Sequence, residues 1–166
     1  MNRRHFVLRT AALFAGAPLI SLAPLTSPAY AASEPTRPDK VVRSEAEWRK
    51  LLTPQQFDVL RNEGTERPGS SPLNNEKRKG TYTCAACDLP LFASDKKYES
   101  NTGWPSYFEA LPDGVNSKTD YKLLYPRTEY HCARCGGHQG HIFKDGPRPT
   151  GLRYCNNGVA LNFVPA

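Results

Sequence analysis

The chain has 166 residues, enough for one domain with a modest core, and its 15 Pro, 12 Gly, 8 Tyr and single Met suit a turn-rich β domain and disfavour a helical bundle. The formal charge of +6 suggests an acidic partner, but residues 1–31 hold three arginines and no acid, and without them the charge is +3. The remainder has no dense basic run, since Glu76-Lys77-Arg78-Lys79 is short and mixed, so nucleic-acid binding is disfavoured.

Residues 1–31 open on Asn2-Arg3-Arg4-His5-Phe6, continue through an apolar middle and end on Ala29-Tyr30-Ala31, the layout of an export signal cleaved after Ala31. The paired arginines resemble a twin-arginine signal, whose machinery exports folded proteins. Pro18 and Pro24 among weakly apolar residues disfavour the alternative, an uncleaved membrane anchor. The expected location is periplasmic. Residues 32–43, with Pro35 and Pro38, read as a flexible tether, and 44–166 as the domain.

Ser44 and Glu47 form a capping box that predicts a helix over 45–52. Thr53-Pro54-Gln55-Gln56 starts a second helix, with Gly64 placed to stop it. Residues 65–80, rich in Pro, Gly, Asn and charge, read as a surface loop. Beyond them, short apolar runs between turn residues predict strands over 81–83, 90–92, 121–125, 128–132, 141–143, 152–155 and 159–164. The expected fold is mainly β: small antiparallel sheets forming a curved, barrel-like core, with short N-terminal helices and a structural metal.

Cys84-Ala85-Ala86-Cys87 and Cys132-Ala133-Arg134-Cys135 each offer two thiolates from a tight turn, and Gly136-Gly137 gives the second turn its freedom. Zinc is the default ion for four sulfurs, with no position left for substrate. Two disulfides or a rubredoxin-like iron site would use the same residues; a redox-active Cys-x-x-Cys would need a βαβ context that is missing.

Cys155 is then left over. In a strand, Arg153, Cys155 and Asn157 share a side, and a guanidinium beside the thiol favours the nucleophilic thiolate. Inert packing is the alternative, against which the polar neighbours argue. His138-Gln139-Gly140-His141 can bring two imidazoles, the usual proton donors near neutrality, to one spot. Trp104, in Gly103-Trp104-Pro105-Ser106-Tyr107-Phe108, is either core or a platform for a small apolar group such as a methyl.

From about Trp48 to Phe163 these motifs together resemble the type B methionine sulfoxide reductases: the two Cys-x-x-Cys pairs, Thr102-Gly103-Trp104-Pro105-Ser106-Tyr107, His138-Gln139-Gly140-His141-Ile142-Phe143, Asp145-Gly146-Pro147-Arg148-Pro149-Thr150-Gly151 and Arg153-Tyr154-Cys155-Asn156-Asn157. The resemblance implies reduction of the R epimer of methionine sulfoxide, by attack of Cys155 on the sulfoxide sulfur, leaving a sulfenic acid. It assigns His138 and His141 to the sulfoxide oxygen, Arg153 and Asn157 to the thiolate, Trp104 and Phe163 to the substrate, and Cys84, Cys87, Cys132 and Cys135 to one structural zinc. Many members carry a second, resolving cysteine where this chain has Thr102. An external thiol or thioredoxin-like partner is therefore the expected reductant, and methionine-oxidised proteins the expected substrates. A zinc-ribbon binding module without catalysis is the competing reading.

Overall fold

The computed structural model describes residue 37 and residues 39–166. The expected signal over 1–31 and most of the expected tether over 32–43 lie outside the described residues.

Both capping boxes form. Helix α1 spans Glu45–Leu51, capped reciprocally by Ser44 and Glu47, and helix α2 spans Pro54–Asn62, capped by Thr53 and Gln56. The stop of α2 comes one residue before the expected Gly64: Glu63 takes the left-handed conformation, and Gly64 N–H then donates to Asp58 O. The helices bury Trp48, Phe57, Val59 and Leu60, and α2 packs against the strand His138–Phe143 and the turn Gly158–Ala160.

Strands β1 (Gly80–Cys84) and β2 (Pro90–Ala93) pair with β9 (Leu161–Pro165) in a three-stranded antiparallel sheet, ordered β2-β1-β9. The second sheet contains β3 (Lys97–Tyr98), β4 (Ser106–Tyr107), β5 (Val115–Asp120), β6 (Arg127–Cys132), β7 (His138–Phe143) and β8 (Arg153–Asn156), ordered β3-β4-β8-β7-β6-β5. No strand pairing joins the sheets among the described residues, so the two small antiparallel sheets are as expected but the barrel-like closure is absent.

The expected strand over 121–125 is a loop. Its Tyr121, Leu123, Leu124 and Tyr125 have the composition of a strand but no sheet to pack on, and all four are exposed. The true strand precedes it: β5, Val-Asn-Ser-Lys-Thr-Asp, is a largely polar edge strand without the apolar alternation that would announce it.

Aromatic rings join the two sheets. Tyr107 stacks on Phe92 with centroids 4.1 Å apart and meets Tyr82 edge-on at 5.0 Å; Tyr130 of β6 and Tyr154 of β8 also contact Phe92. Tyr82, Phe92, Tyr107 and Tyr130 are fully buried, and each ring pair adds about 0.5–1.5 kcal/mol beyond area burial. Because side chains alternate along a strand, placing Tyr130 and Tyr154 inward turns Glu129, His131, Arg153 and Cys155 to the opposite face. The aromatic core thereby sets the orientation of the chemistry.

Candidate active site

The face opposite the core carries a row of reactive groups across three strands. Cys155 of β8 pairs in register with His141 of β7, and His141 with Glu129 of β6. Directly paired residues project to the same side, so thiol, imidazole and carboxylate line up across the sheet. His138, three residues before His141, would face away in a regular strand. A register shift between Tyr130 and His131 inserts the extra residue that re-aims it, and the two imidazoles lie 5.5 Å apart between centroids. Gly140 permits the close approach of β7 and β8, since a Cβ there would sit 1.9 Å from Cys155 O.

Both imidazoles are fixed by carboxylates. Glu129 accepts from His138 Nδ1 at 2.7 Å and from His131 Nδ1 at 3.1 Å. Burial resists ionisation of Glu129, but these two partners outweigh it and bring the carboxyl down from 4.5 to about 2. His138 is buried, and its Nε2 has no hydrogen-bond partner. His141 Nε2 lies 2.8 Å from Asp120 Oδ2, which also accepts from Arg127 at 2.6 Å. Asp120 is held well below the usual carboxylate range by the Lys122 backbone N–H and by His141. Burial depresses His141 below its ordinary value despite Asp120, which favours the neutral ring.

Cys155 is half-buried. Burial pushes its thiol above the ordinary value; the Arg153 charge and the hydrogen bonds from Thr102 and Arg153 pull the other way without prevailing. The expected thiolate-favouring guanidinium is thus present but insufficient. Its charge is shared with Asp145, which it holds through two bonds of 2.8 and 2.7 Å while lying over the Phe143 ring at 4.3 Å.

Cys155 opens on a cavity of about 130 Å³ lined also by Trp104, Arg127, His141, Phe143 and Asn157. Trp104 is delivered by a fixed corner: Gly103 has φ +91°, its carbonyl accepts from Gly69 N–H and Asn74 Nδ2, and Trp104 Nε1 donates to Glu66 O at 3.2 Å. Asn157 lies just past β8, and its amide donates to Gln139 O and accepts from Glu66 N–H, so it braces the cavity wall. His138 stands beside His141 but does not line the cavity. Phe163 lies elsewhere, on β9 against Tyr82, lining another groove with Gln55 and Asn162. Arg153 is beside the sulfur and outside the cavity lining.

Glu129, Asp120, Arg127 and Asp145 were not foreseen. The run Arg127-Thr128-Glu129-Tyr130-His131 held a usable signal, since in a strand it places arginine, carboxylate and imidazole on one face.

The remaining cysteines form a separate cluster. The Sγ atoms of Cys84, Cys87, Cys132 and Cys135 all lie within 4.8 Å of one another, with Cys84–Cys135 at 3.7 Å and Cys87–Cys132 at 3.5 Å. None is in a disulfide; bonded sulfurs would be about 2 Å apart. Tetrahedral metal–sulfur bonds of about 2.3 Å require edges near 3.8 Å, so four sulfurs at these separations can hold a metal ion. Gln139 Nε2 and Arg61 donate toward Cys84 and Cys135 at 3.5 and 3.7 Å, offsetting thiolate charge. Cys84 ends β1 and Cys132 ends β6, so such an ion would clip the two sheets together.

The SelR domain family matches residues 52–165. A peptide methionine sulfoxide reductase MsrB of Agrobacterium fabrum is 54% identical over 127 residues, covering 76% of this chain and 94% of that protein. An MsrB of Methanosarcina barkeri is 56% identical over 124 residues, 74% and 87% of the two chains; one of Pseudomonas putida is 50% identical over 127 residues, 76% and 96%. With its thiol facing an imidazole across paired strands and its four-cysteine cluster, this chain belongs to the SelR domain family, that of the type B methionine sulfoxide reductases.

Proposed function

We propose that the chain reduces the R epimer of methionine sulfoxide, principally in proteins, with Cys155 as nucleophile. The alignment of Cys155 with His141 across β8 and β7, at a cavity walled by Trp104, carries this reading. A zinc-ribbon module without catalysis would have no use for a carboxylate-held imidazole facing a lone thiol.

The two displaced ionisation equilibria support a proton-neutral start. Sγ attacks the sulfoxide sulfur while His141 takes the thiol proton and delivers it to the sulfoxide oxygen. In the resulting S–S adduct the hydroxyl passes from the substrate sulfur to Sγ, so that the substrate's S–O bond and the new S–S bond both break as an S–O bond to Cys155 forms. Methionine leaves, its sulfur reduced by two electrons, and Cys155 is left as the sulfenic acid, oxidised by two. Arg127 offers a second donor to the oxygen, Glu129 keeps His138 oriented beside His141, and Trp104 packs the methyl group.

Thr102 carries no thiol and cannot form a disulfide with Cys155. The sulfenic acid is therefore reduced by two equivalents of an external thiol or by a thioredoxin-like dithiol, releasing water and returning Cys155 to the thiol. The four-cysteine site takes zinc, which supplies a structural clip and no part of the reaction. The signal-like residues 1–31 support export by the machinery for folded proteins, with zinc loaded beforehand, and a periplasmic location.

Intact-mass analysis after one turnover without reductant tests the chemistry. The expected product carries one added oxygen on Cys155 and no disulfide; a disulfide between Cys155 and a cysteine of the cluster would overturn it.

A further inference from the structure

The loop between β5 and β6 places four large apolar side chains in five residues. Tyr121 is 76% exposed, Leu123 49% and Tyr125 60%, and Leu124 is fully exposed. None belongs to the core or packs against it. Contiguous exposed apolar surface marks an interaction site more often than chance, and this loop grows directly out of the active site. Asp120 and Arg127 close its base in register. Asp120 holds His141, and Arg127 lines the Cys155 cavity. The same Asp120 carboxylate accepts from the Lys122 backbone N–H at 2.8 Å, while Lys118 and Lys122 both reach Glu63 at 2.6 Å. The base is therefore pinned to the catalytic imidazole and to the end of α2, and only the apolar tip is left without a partner.

A cavity of about 130 Å³ has the volume of roughly four waters, room for the end of one side chain and not for the polypeptide bearing it. Residues flanking a bound methionine sulfoxide must lie on the rim, with positions two to four away reaching about 7–13 Å from the sulfoxide residue. The loop tip presents Leu123, Leu124 and two tyrosines to solvent, so the flank that it suits is apolar. We infer that residues 121–125 are a docking surface for the apolar polypeptide flanking methionine sulfoxide, giving the enzyme a preference for protein-bound sulfoxide in apolar sequence. This inference rests on the proposed reductase activity.

The test compares wild type with Leu123→Ser/Leu124→Ser on three probes: blocked single-residue methionine R-sulfoxide, a blocked heptapeptide with it between leucines and phenylalanines, and the same peptide with serines. Wild type is expected to show a KM about tenfold lower for the apolar peptide than for the serine peptide. The variant is expected to lose that difference while turning over the single residue as wild type does. A variant that keeps the preference, or a wild type without one, overturns the inference and leaves the reductase reading standing. Sedimentation showing a wild-type dimer that the variant dissociates would assign the loop to a second copy and also overturn it. Failure of wild type on all three probes would sink the reductase reading itself.

Discussion

Replacing Glu129 by Gln removes one charge from the buried face at nearly constant shape. The carboxylate serves two Nδ1–H donors, at 2.7 and 3.1 Å, from a side chain 2% exposed. Hydrogen bonds to a charged group are worth about 1.5–3 kcal/mol each, and a Gln oxygen can serve one donor while its NH2 group confronts the other. The loss at neutral pH is therefore about 2–4 kcal/mol. The ionisation gives a comparable figure: lowering the carboxyl from 4.5 to about 2 corresponds to about 3 kcal/mol. The folded-state value lies below the unfolded one, so the unfolded chain binds the proton first on acidification. The stabilisation is complete above about pH 4.5 and is lost as pH falls toward 2. Urea unfolding followed by Trp48 and Trp104 fluorescence, at steps from pH 7 to pH 3, measures both quantities. Glu129→Gln is expected to unfold at lower urea at pH 7 and to lose less stability than wild type on acidification. Metal loss in acid affects both proteins, so the difference between the curves isolates the carboxylate. Equal stability at pH 7 with parallel acid limbs would refute the reasoning.

Arg153→Met removes the charge that favours the thiolate and leaves Asp145 opposing it; alkylation of Cys155, followed by peptide mass spectrometry at fixed pH, is expected to slow, and an unchanged rate would show that Arg153 acts only in packing. Removing metal with a chelator is expected to release one equivalent of zinc and lower the thermal midpoint, because the clip between β1 and β6 is lost; a protein purified without zinc at the same midpoint would contradict this.

How much of this was legible in the sequence depended on range. The helix caps, the four clustered cysteines, Cys155 and the two histidines are carried by local spacing and were read directly. The Glu129–His138 and Asp120–His141 pairs were not, because they depend on which strands pair and in what register, and on a one-residue bulge opposite His131 that brings His138 to the side of His141. The loop over 121–125 has the composition of a strand because tyrosine and leucine report apolarity without saying whether a sheet lies beneath them. Polar β5 was missed for the converse reason: an edge strand with exposed side chains needs little apolar pattern. Phe163, suggested as a substrate contact, has its place in the other sheet, where its ring packs on Tyr82. Arg153 was foreseen as an activator without Asp145, the partner that divides its charge.

Reduction of a peptide carrying the R or the S epimer of methionine sulfoxide, by wild type and by zinc-loaded Cys155→Ser with excess dithiol, tests the role of Cys155 most directly. Wild type should reduce the R epimer and leave the S epimer untouched, and the variant, with its zinc content and fold retained, should reduce neither. A Cys155→Ser protein that still reduced the R epimer at the wild-type rate would contradict the assignment of Cys155 as nucleophile.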